Sequence, residues 1–182
     1  MKPKIFYVNA LCLALLAPTA FFSCTNSGKT ENELIGTWKG TTEAAELDES
    51  DVDLTWEYVF SDDDPDSDDN KREITIYMIS STQGIELASV SVHGTWTATS
   101  REIELDLDPG SISVELTPSM SDFLRRAGAS EEDVREQMRQ DFQPVGEQKS
   151  MAIISLDGDH LVIAESPDSK DLVDLRRIPK AG

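Results

Sequence analysis

Residues 102–116 read Glu-Ile-Glu-Leu-Asp-Leu-Asp-Pro-Gly-Ser-Ile-Ser-Val-Glu-Leu. Apolar side chains occupy every second position in two runs, first Ile103, Leu105 and Leu107 and then Ile112, Val114 and Leu116. A period of two is typical of a β-strand with one buried and one solvated face. Pro109-Gly110 lies between the runs, and both residue types are common in turns. The stretch therefore predicts two antiparallel strands joined by a turn, in an all-β fold.

The same alternation recurs along most of the chain. One face is shared in each of three further segments: Leu54, Trp56, Tyr58 and Phe60; Ile74, Ile76 and Met78; Ala88, Val90, Val92, Gly94 and Trp96. Asp157-Gly158 separates Met151–Leu156 from Leu161–Ala164, which is typical of a tight hairpin. With segments at Leu34–Thr41 and Leu172–Ile178, the count reaches eight or nine antiparallel strands, enough to close a small barrel.

One region, at about residues 119–142, has helical rather than strand periodicity. Gly128 is a typical helix stop, and Ser130 with Asp133 is typical of a helix N-terminus. We expect two short helices inserted between strands, where they cover one end of the barrel as a structural cap or as a mobile gate over a ligand. Four side chains are expected on the buried face of this lid: Phe123, Val134, Met138 and Phe142.

The first 24 residues have the pattern of an export signal. Lys2 and Lys4 precede an apolar run, Ile5–Ala17, and Ser23-Cys24 resembles the end of a lipobox. The apolar run is shorter than the roughly 20 residues that span a bilayer. A retained membrane helix and ordinary cleavage after Ala20 are the alternatives. We expect residues 1–23 to be a lipoprotein signal peptide, residues 24–33 a polar tether lipidated at Cys24, and residues 34–182 one barrel domain.

Charge and cysteine content exclude several classes of function. Removal of residues 1–23 takes two of the 16 basic side chains and none of the 35 acidic ones, so the net charge falls from −19 to −21. Such a surface repels phosphate backbones, so we expect no nucleic-acid partner. Cys12 lies in the predicted signal and Cys24 is the predicted lipid site, which leaves no thiol for a disulfide or a nucleophile.

Two copies of a short motif carry a family resemblance. Leu34-Ile35-Gly36-Thr37-Trp38-Lys39-Gly40 resembles the opening strand of lipocalin-like domains, and Gly94-Thr95-Trp96 followed by Arg101–Leu105 resembles a strand and turn from the middle of the barrel. Residues 154–161 and the closing Leu175–Ile178 resemble the last hairpin and strand of the lipocalin-like lipoproteins of Bacteroidota. The resemblance implies a lipocalin-like barrel held at the bacterial cell envelope, in the outer membrane, by its lipid anchor.

The resemblance also implies one structural contact. In lipocalins a basic side chain of the last strand packs over the tryptophan of the first strand. Arg177, or Arg176 after a register shift of one residue, is therefore expected over Trp38, where a cation–π contact contributes on the order of 1 kcal/mol. The alternative is that both arginines are exposed at the end of an edge strand.

Two functions from different classes remain open. In the first, the barrel binds a small hydrophobic ligand in a cavity lined by Trp56, Tyr58, Ile76, Met78, Val92, Trp96 and Leu105. In the second, side chains fill the barrel, and the protein is an envelope scaffold or protein-interaction module whose partner is unknown. A pocket of a few hundred cubic ångströms distinguishes the first from the second.

Catalysis and metal binding have little support in the sequence. His93 and His160 are the two histidines, and neither lies in a nucleophile elbow or a metalloprotease helix. Aspartates in the loop at residues 61–69 superficially resemble a calcium loop, yet the central Gly and distant Glu of an EF-hand are missing. We therefore expect a binding protein that is no enzyme and carries no metal or cofactor.

Overall fold

The fold is a closed antiparallel β-barrel. A computed structural model describes residues 27–42, 52–62 and 72–179. Within these ranges lie eight strands: β1 Gly36–Thr42, β2 Asp53–Phe60, β3 Arg72–Thr82, β4 Ile85–Ala98, β5 Glu102–Leu116, β6 Ser150–Asp157, β7 His160–Ala164 and β8 Leu172–Ile178. Each strand pairs with the next along the chain, and β8 pairs with β1 to close the ring. The predicted all-β barrel of eight or nine strands is confirmed.

Three helices accompany the strands in the same ranges: α1 Ser27–Leu34, α2 Pro118–Ala127 and α3 Glu131–Gly146. The predicted two-helix insertion is confirmed as α2 and α3. Gly128 ends α2 in the left-handed conformation at φ 72°, and the Ser130 side chain caps α3 by accepting from the Asp133 amide. α3 continues past the predicted end at Phe142 and includes Pro144.

One turn in the sequence-based prediction is wrong. Pro109-Gly110 lies inside a single strand, β5, rather than between two strands. Ser91 of β4 pairs with Ser113 and His93 pairs with Asp108, so residues 109–112 form a bulge opposite Val92. A hydrogen bond from the Gly110 amide to Asp108 Oδ1, 2.9 Å long, stabilises the bulge. The apolar runs on either side of the bulge face the same interior.

The wall of the barrel is uneven because β3, β4 and β5 have 11 to 15 residues, whereas the other five described strands have five to eight. β5 pairs with β6 at Glu102, Ile103 and Glu104, and α3 lies beside the rest of β5. Gly146 makes this approach close: a Cβ there would lie 3.1 Å from Ile112 Cδ1 and 3.4 Å from Pro109 Cα. α3 thus completes one side of the barrel in place of a strand.

The lower half of the barrel is filled with side chains. Here "lower" denotes the end that carries the β6–β7 hairpin and α1, and "upper" the end at which β1, β3, β5 and β7 finish. Fully buried residues of this core include Trp38, Phe60, Ile74, Ile76, Val92, Ile103, Leu161 and Leu175. Because such interiors are close-packed, space for a ligand remains at the upper end.

α1 closes the lower end, within the segment predicted to be a polar tether. Leu34 is fully buried, and Glu31 Oε1 accepts from the Ala98 amide at 3.3 Å. Arg72 holds the same helix, since its Nη2 donates to Asn32 Oδ1 at 3.3 Å and its Nη1 lies 3.7 Å from Glu31 Oε2. Ordered structure therefore begins before Leu34, the first residue of the predicted domain. Thr30 is the polar residue that this docking buries.

Candidate functional site

A cavity of about 920 Å³ opens at the upper end of the barrel. Its walls come from β2, the end of α3 with the segment that leads into β6, β7, and the β7–β8 loop with the start of β8. The lining residues are Trp56, Tyr58, Pro144, Val145, Glu147, Gln148, Lys149, Ser150, Met151, Ile163, Ala164, Glu165, Lys170, Asp171, Leu172 and Val173. The cavity therefore lies where the short strands leave the wall incomplete.

Aromatic rings form a continuous row on β2 beside this cavity. Residues 56, 58 and 60 point inward at a period of two, and the ring centres of Trp56 and Tyr58 lie 6.4 Å apart. Phe142 of α3 stacks on Trp56 at 6.1 Å with an angle of 21° between the planes. The row continues from Tyr58 to Phe60 at 6.4 Å. α3 is thereby fixed against the barrel by the same ring, Trp56, that lines the cavity.

Tyr58 contributes a polar group to the apolar wall. It is 5% exposed, and its hydroxyl forms no hydrogen bond with any described residue. Burial raises the pKa of the Tyr58 phenol well above its usual range, so the hydroxyl stays protonated. The site therefore contains a hydrogen-bond donor deep in an aromatic wall.

The rim of the cavity carries charges of both signs. Glu147, Glu165 and Asp171 contribute carboxylates, and Lys149 and Lys170 contribute ammonium groups; all five residues are exposed. Deeper positions are apolar, among them Met151 at 2% and Ile163 at 1% exposure. The arrangement can hold an apolar body inside and a polar end at the rim.

Two of the seven residues predicted to line a ligand cavity do so, namely Trp56 and Tyr58. The structure places four of the others in the close-packed core: Ile76 and Val92 are fully buried, Trp96 is 2% exposed and Leu105 is 5% exposed. Met78 is half-buried and packs against that core. These five side chains point inward as predicted, but they lie below the open part of the barrel or at its wall and serve packing.

The predicted partners on the floor of the barrel lie together. Arg177 pairs with Trp38 in the β1–β8 register, and its guanidinium carbon lies 4.2 Å from the centre of the indole ring. The indole Nε1 donates to Leu34 O at 2.7 Å. A second Arg–Trp contact joins Arg72 to Trp96 at 5.5 Å, so both Gly-Thr-Trp motifs end in a tryptophan beneath an arginine. Arg176 instead has a side chain that is 68% exposed.

One residue of the predicted lid face is wrong. Phe123 is 58% exposed on α2, and the neighbouring Leu124 is the buried residue at 5%. Phe142 is 1% exposed as expected, while Val134 and Met138 are half-buried. α2 thus packs through Leu124, one position later in the chain than predicted.

The histidines lie away from the cavity. His93 Nδ1 is 2.9 Å from Thr75 Oγ1 on the outer face of the barrel, and His160 Nε2 is 2.9 Å from Asp174 Oδ1. The described ranges contain no group of three or more His, Cys, Asp or Glu side chains that could hold a metal ion. Asp63–Asp69 of the acidic loop and the predicted lipid site Cys24 lie outside the described residues. Among the described helices, none is long and apolar enough to cross a membrane.

Sequence reasoning missed most of the cavity wall. The segment from Pro144 to Met151 and the segment from Ile163 to Val173 supply fourteen of the sixteen lining residues. One feature of the sequence could have indicated these two segments. The apolar runs after residue 150 are short, so α3 and a loop form part of the barrel wall there. No protein-family model matches this chain, and no curated protein matches it.

Proposed function

We propose that the protein is a membrane-tethered, lipocalin-like lipoprotein of the bacterial cell envelope that binds a small hydrophobic ligand at the upper end of its barrel. The observation that carries this proposal is the cavity of about 920 Å³ against Trp56 and Tyr58. Ligand sites typically enclose about 300–1,000 Å³ and combine apolar walls with a few polar groups. A barrel filled throughout would offer no such space.

The floor of the barrel supports the same proposal. α1, Trp38 and Arg177 seal the lower end, so a ligand enters and leaves at the upper end, past the charged rim. The Arg177–Trp38 contact and the order of the Gly-Thr-Trp motifs support membership of the lipocalin-like group. Ser23-Cys24 after an apolar run supports a lipid anchor, which we place in the outer membrane.

Mass spectrometry of the protein extracted from its native membrane tests both parts of the proposal. We expect acyl chains on Cys24 and a co-purified small apolar molecule; Cys24→Ala should shift the protein from the membrane fraction to the soluble fraction. Leu172→Trp adds bulk at the cavity wall and should lower the ligand occupancy. Ile178→Trp is the matched control, because Ile178 lies at the other end of β8 and is similarly exposed, 43% against 51% for Leu172.

A scaffold or protein-interaction module is the second candidate. The large exposed side chain of Phe123 on the inserted helix α2 favours it, as does the filled lower half of the barrel. A native-membrane preparation with an empty cavity and a protein partner that is lost in Phe123→Ser would support this candidate. Such a result would overturn ligand carriage.

A further inference from the structure

Two polar groups of the aromatic row form no hydrogen bond with a described residue: the Tyr58 hydroxyl, which is buried, and Nε1 of the half-buried Trp56. The two indole groups of the core are satisfied: Trp38 Nε1 donates to Leu34 O at 2.7 Å, and Trp96 Nε1 donates to Glu73 O at 3.0 Å. Buried polar groups in folded proteins are nearly always hydrogen-bonded. Within the described residues, buried Tyr58 therefore lacks the partner that Trp38 and Trp96 each have.

The unpaired hydroxyl retains access to the cavity. Among the described residues, Arg72 Nη1 is the side-chain atom that is both sealed from solvent and without a hydrogen bond. Tyr58 Oη forms no hydrogen bond with a described residue either and is not such a sealed atom, so within the described part of the chain the small accessible part of this 5% exposed residue includes its hydroxyl. Because Tyr58 lines the cavity, that accessible part faces the space available to a ligand.

The environment determines what the hydroxyl can do there. Burial favours the neutral phenol, so Tyr58 Oη can donate a hydrogen bond to an acceptor and carries no charge. Trp56 lies beside it at 6.4 Å, half-buried, and also lines the cavity. The flat ring of Trp56 and the hydrogen-bond donor of Tyr58 thus lie next to each other. Offset stacking on such a ring favours a planar partner.

We propose that the cavity selects a planar, apolar molecule that bears a carbonyl or hydroxyl oxygen, with the planar body against Trp56 and the oxygen accepting from Tyr58 Oη. This inference rests on the proposed function, since it names the class of ligand for the same cavity. A saturated acyl chain lacks both features and would leave the donor unpaired. Leaving a buried donor unpaired costs more than the bond contributes when formed, so the hydroxyl discriminates against such ligands.

Fluorescence titration with two probes of matched shape tests the inference. Pyrene-1-carboxaldehyde has a carbonyl oxygen where 1-ethenylpyrene has a methylene group. We expect Tyr58→Phe to weaken the binding of the aldehyde by about 2- to 10-fold, the value of one hydrogen bond, and to leave the binding of 1-ethenylpyrene unchanged. Phe retains the ring and its stacking on Trp56. Tyr77→Phe, on the neighbouring strand β3, is the matched control and should change neither affinity.

Two other outcomes overturn the inference alone, and a third overturns the proposed function as well. Equal binding of the aldehyde to the wild type and to Tyr58→Phe would mean that the hydroxyl bonds to water rather than to ligand, and the inference would fail while ligand binding stands. Equal losses for both probes would assign Tyr58 a packing role and overturn the inference too. If neither probe bound the wild type, the proposed function would fail with it.

Discussion

The guanidinium carbon of Arg177 lies 4.2 Å from the centre of the Trp38 ring, and so the last strand of the barrel covers the first. The same guanidinium donates from Nη1 to Ile35 O at 2.6 Å and from Nη2 to Glu33 O. These carbonyls belong to the end of α1 and the residue after it, so one side chain joins α1, β1 and β8. Both the closure of the barrel and the sealing of its floor therefore depend on Arg177.

Arg177→Ala should lower the free energy of unfolding by about 2 kcal/mol, because it removes the cation–π contact and leaves two carbonyl groups short of a donor. Urea denaturation followed by Trp fluorescence measures this loss. Arg176→Ala is the matched control on the same strand; its side chain is 68% exposed, and the change should stay within about 0.5 kcal/mol. Equal stability of both variants would mean that the Arg177 contact contributes nothing.

The strands could be predicted from the sequence because a period of two is a local property. Trp56 and Tyr58, which the sequence predicts at a ligand cavity, line the pocket at the upper end of the barrel because both are large side chains near the open end of β2. The bulge at Pro109-Gly110 could not be predicted, because it depends on the register with Val92 in another strand. Likewise, α3 extends through Pro144 because Phe142 and Val145 on either side of it pack against the core. The bulge and the extension of α3 thus depend on contacts between distant parts of the chain, which a local sequence pattern does not show.

Gly36 should resist substitution because it lies beneath Arg177. Its φ of 135° is a conformation that L side chains rarely adopt, and a Cβ there would lie 2.8 Å from Arg177 Nη1. Gly36→Ala should therefore cost about 1–3 kcal/mol of unfolding free energy in thermal or urea denaturation. Gly28→Ala is the control, since Gly28 lies in α1 with nothing within 4 Å of the added Cβ. That variant should be neutral or slightly more stable, because Ala favours helix.

Phe142→Ala should destabilise the protein far more than Phe123→Ala. Phe142 is 1% exposed and stacks on Trp56, so its truncation should cost about 3 kcal/mol and leave a cavity beside the site. Phe123 is 58% exposed, and its truncation should stay within about 0.5 kcal/mol. Calorimetric unfolding of the two variants measures the difference. Comparable losses would mean that α2 packs through Phe123 rather than Leu124.

Tyr58 should make the protein less stable at high pH. Burial raises the pKa of its phenol in the folded state, whereas the unfolded chain releases this proton near pH 10. The stabilising contribution is thus complete below about pH 10 and falls above it by up to about 1.4 kcal/mol per pH unit. Urea denaturation between about pH 9 and 11 should show a steeper loss in the wild type than in Tyr58→Phe. Parallel curves would indicate that the phenol ionises equally in both states.

The rim of the cavity should favour neutral ligands over anionic ones. Three carboxylates and two ammonium groups surround the opening, and the whole chain carries a net charge of −19, so the local potential opposes an added negative charge. Pyrene-1-carboxaldehyde should therefore bind several-fold more tightly than pyrene-1-carboxylate at low ionic strength. The difference in affinity between the two probes should decrease as the salt concentration approaches about 1 M, where the screening length falls to about 3 Å. The double variant Glu165→Gln, Asp171→Asn should also decrease this difference in affinity. If the wild type bound the carboxylate more tightly than the aldehyde, the rim would not repel anions as argued.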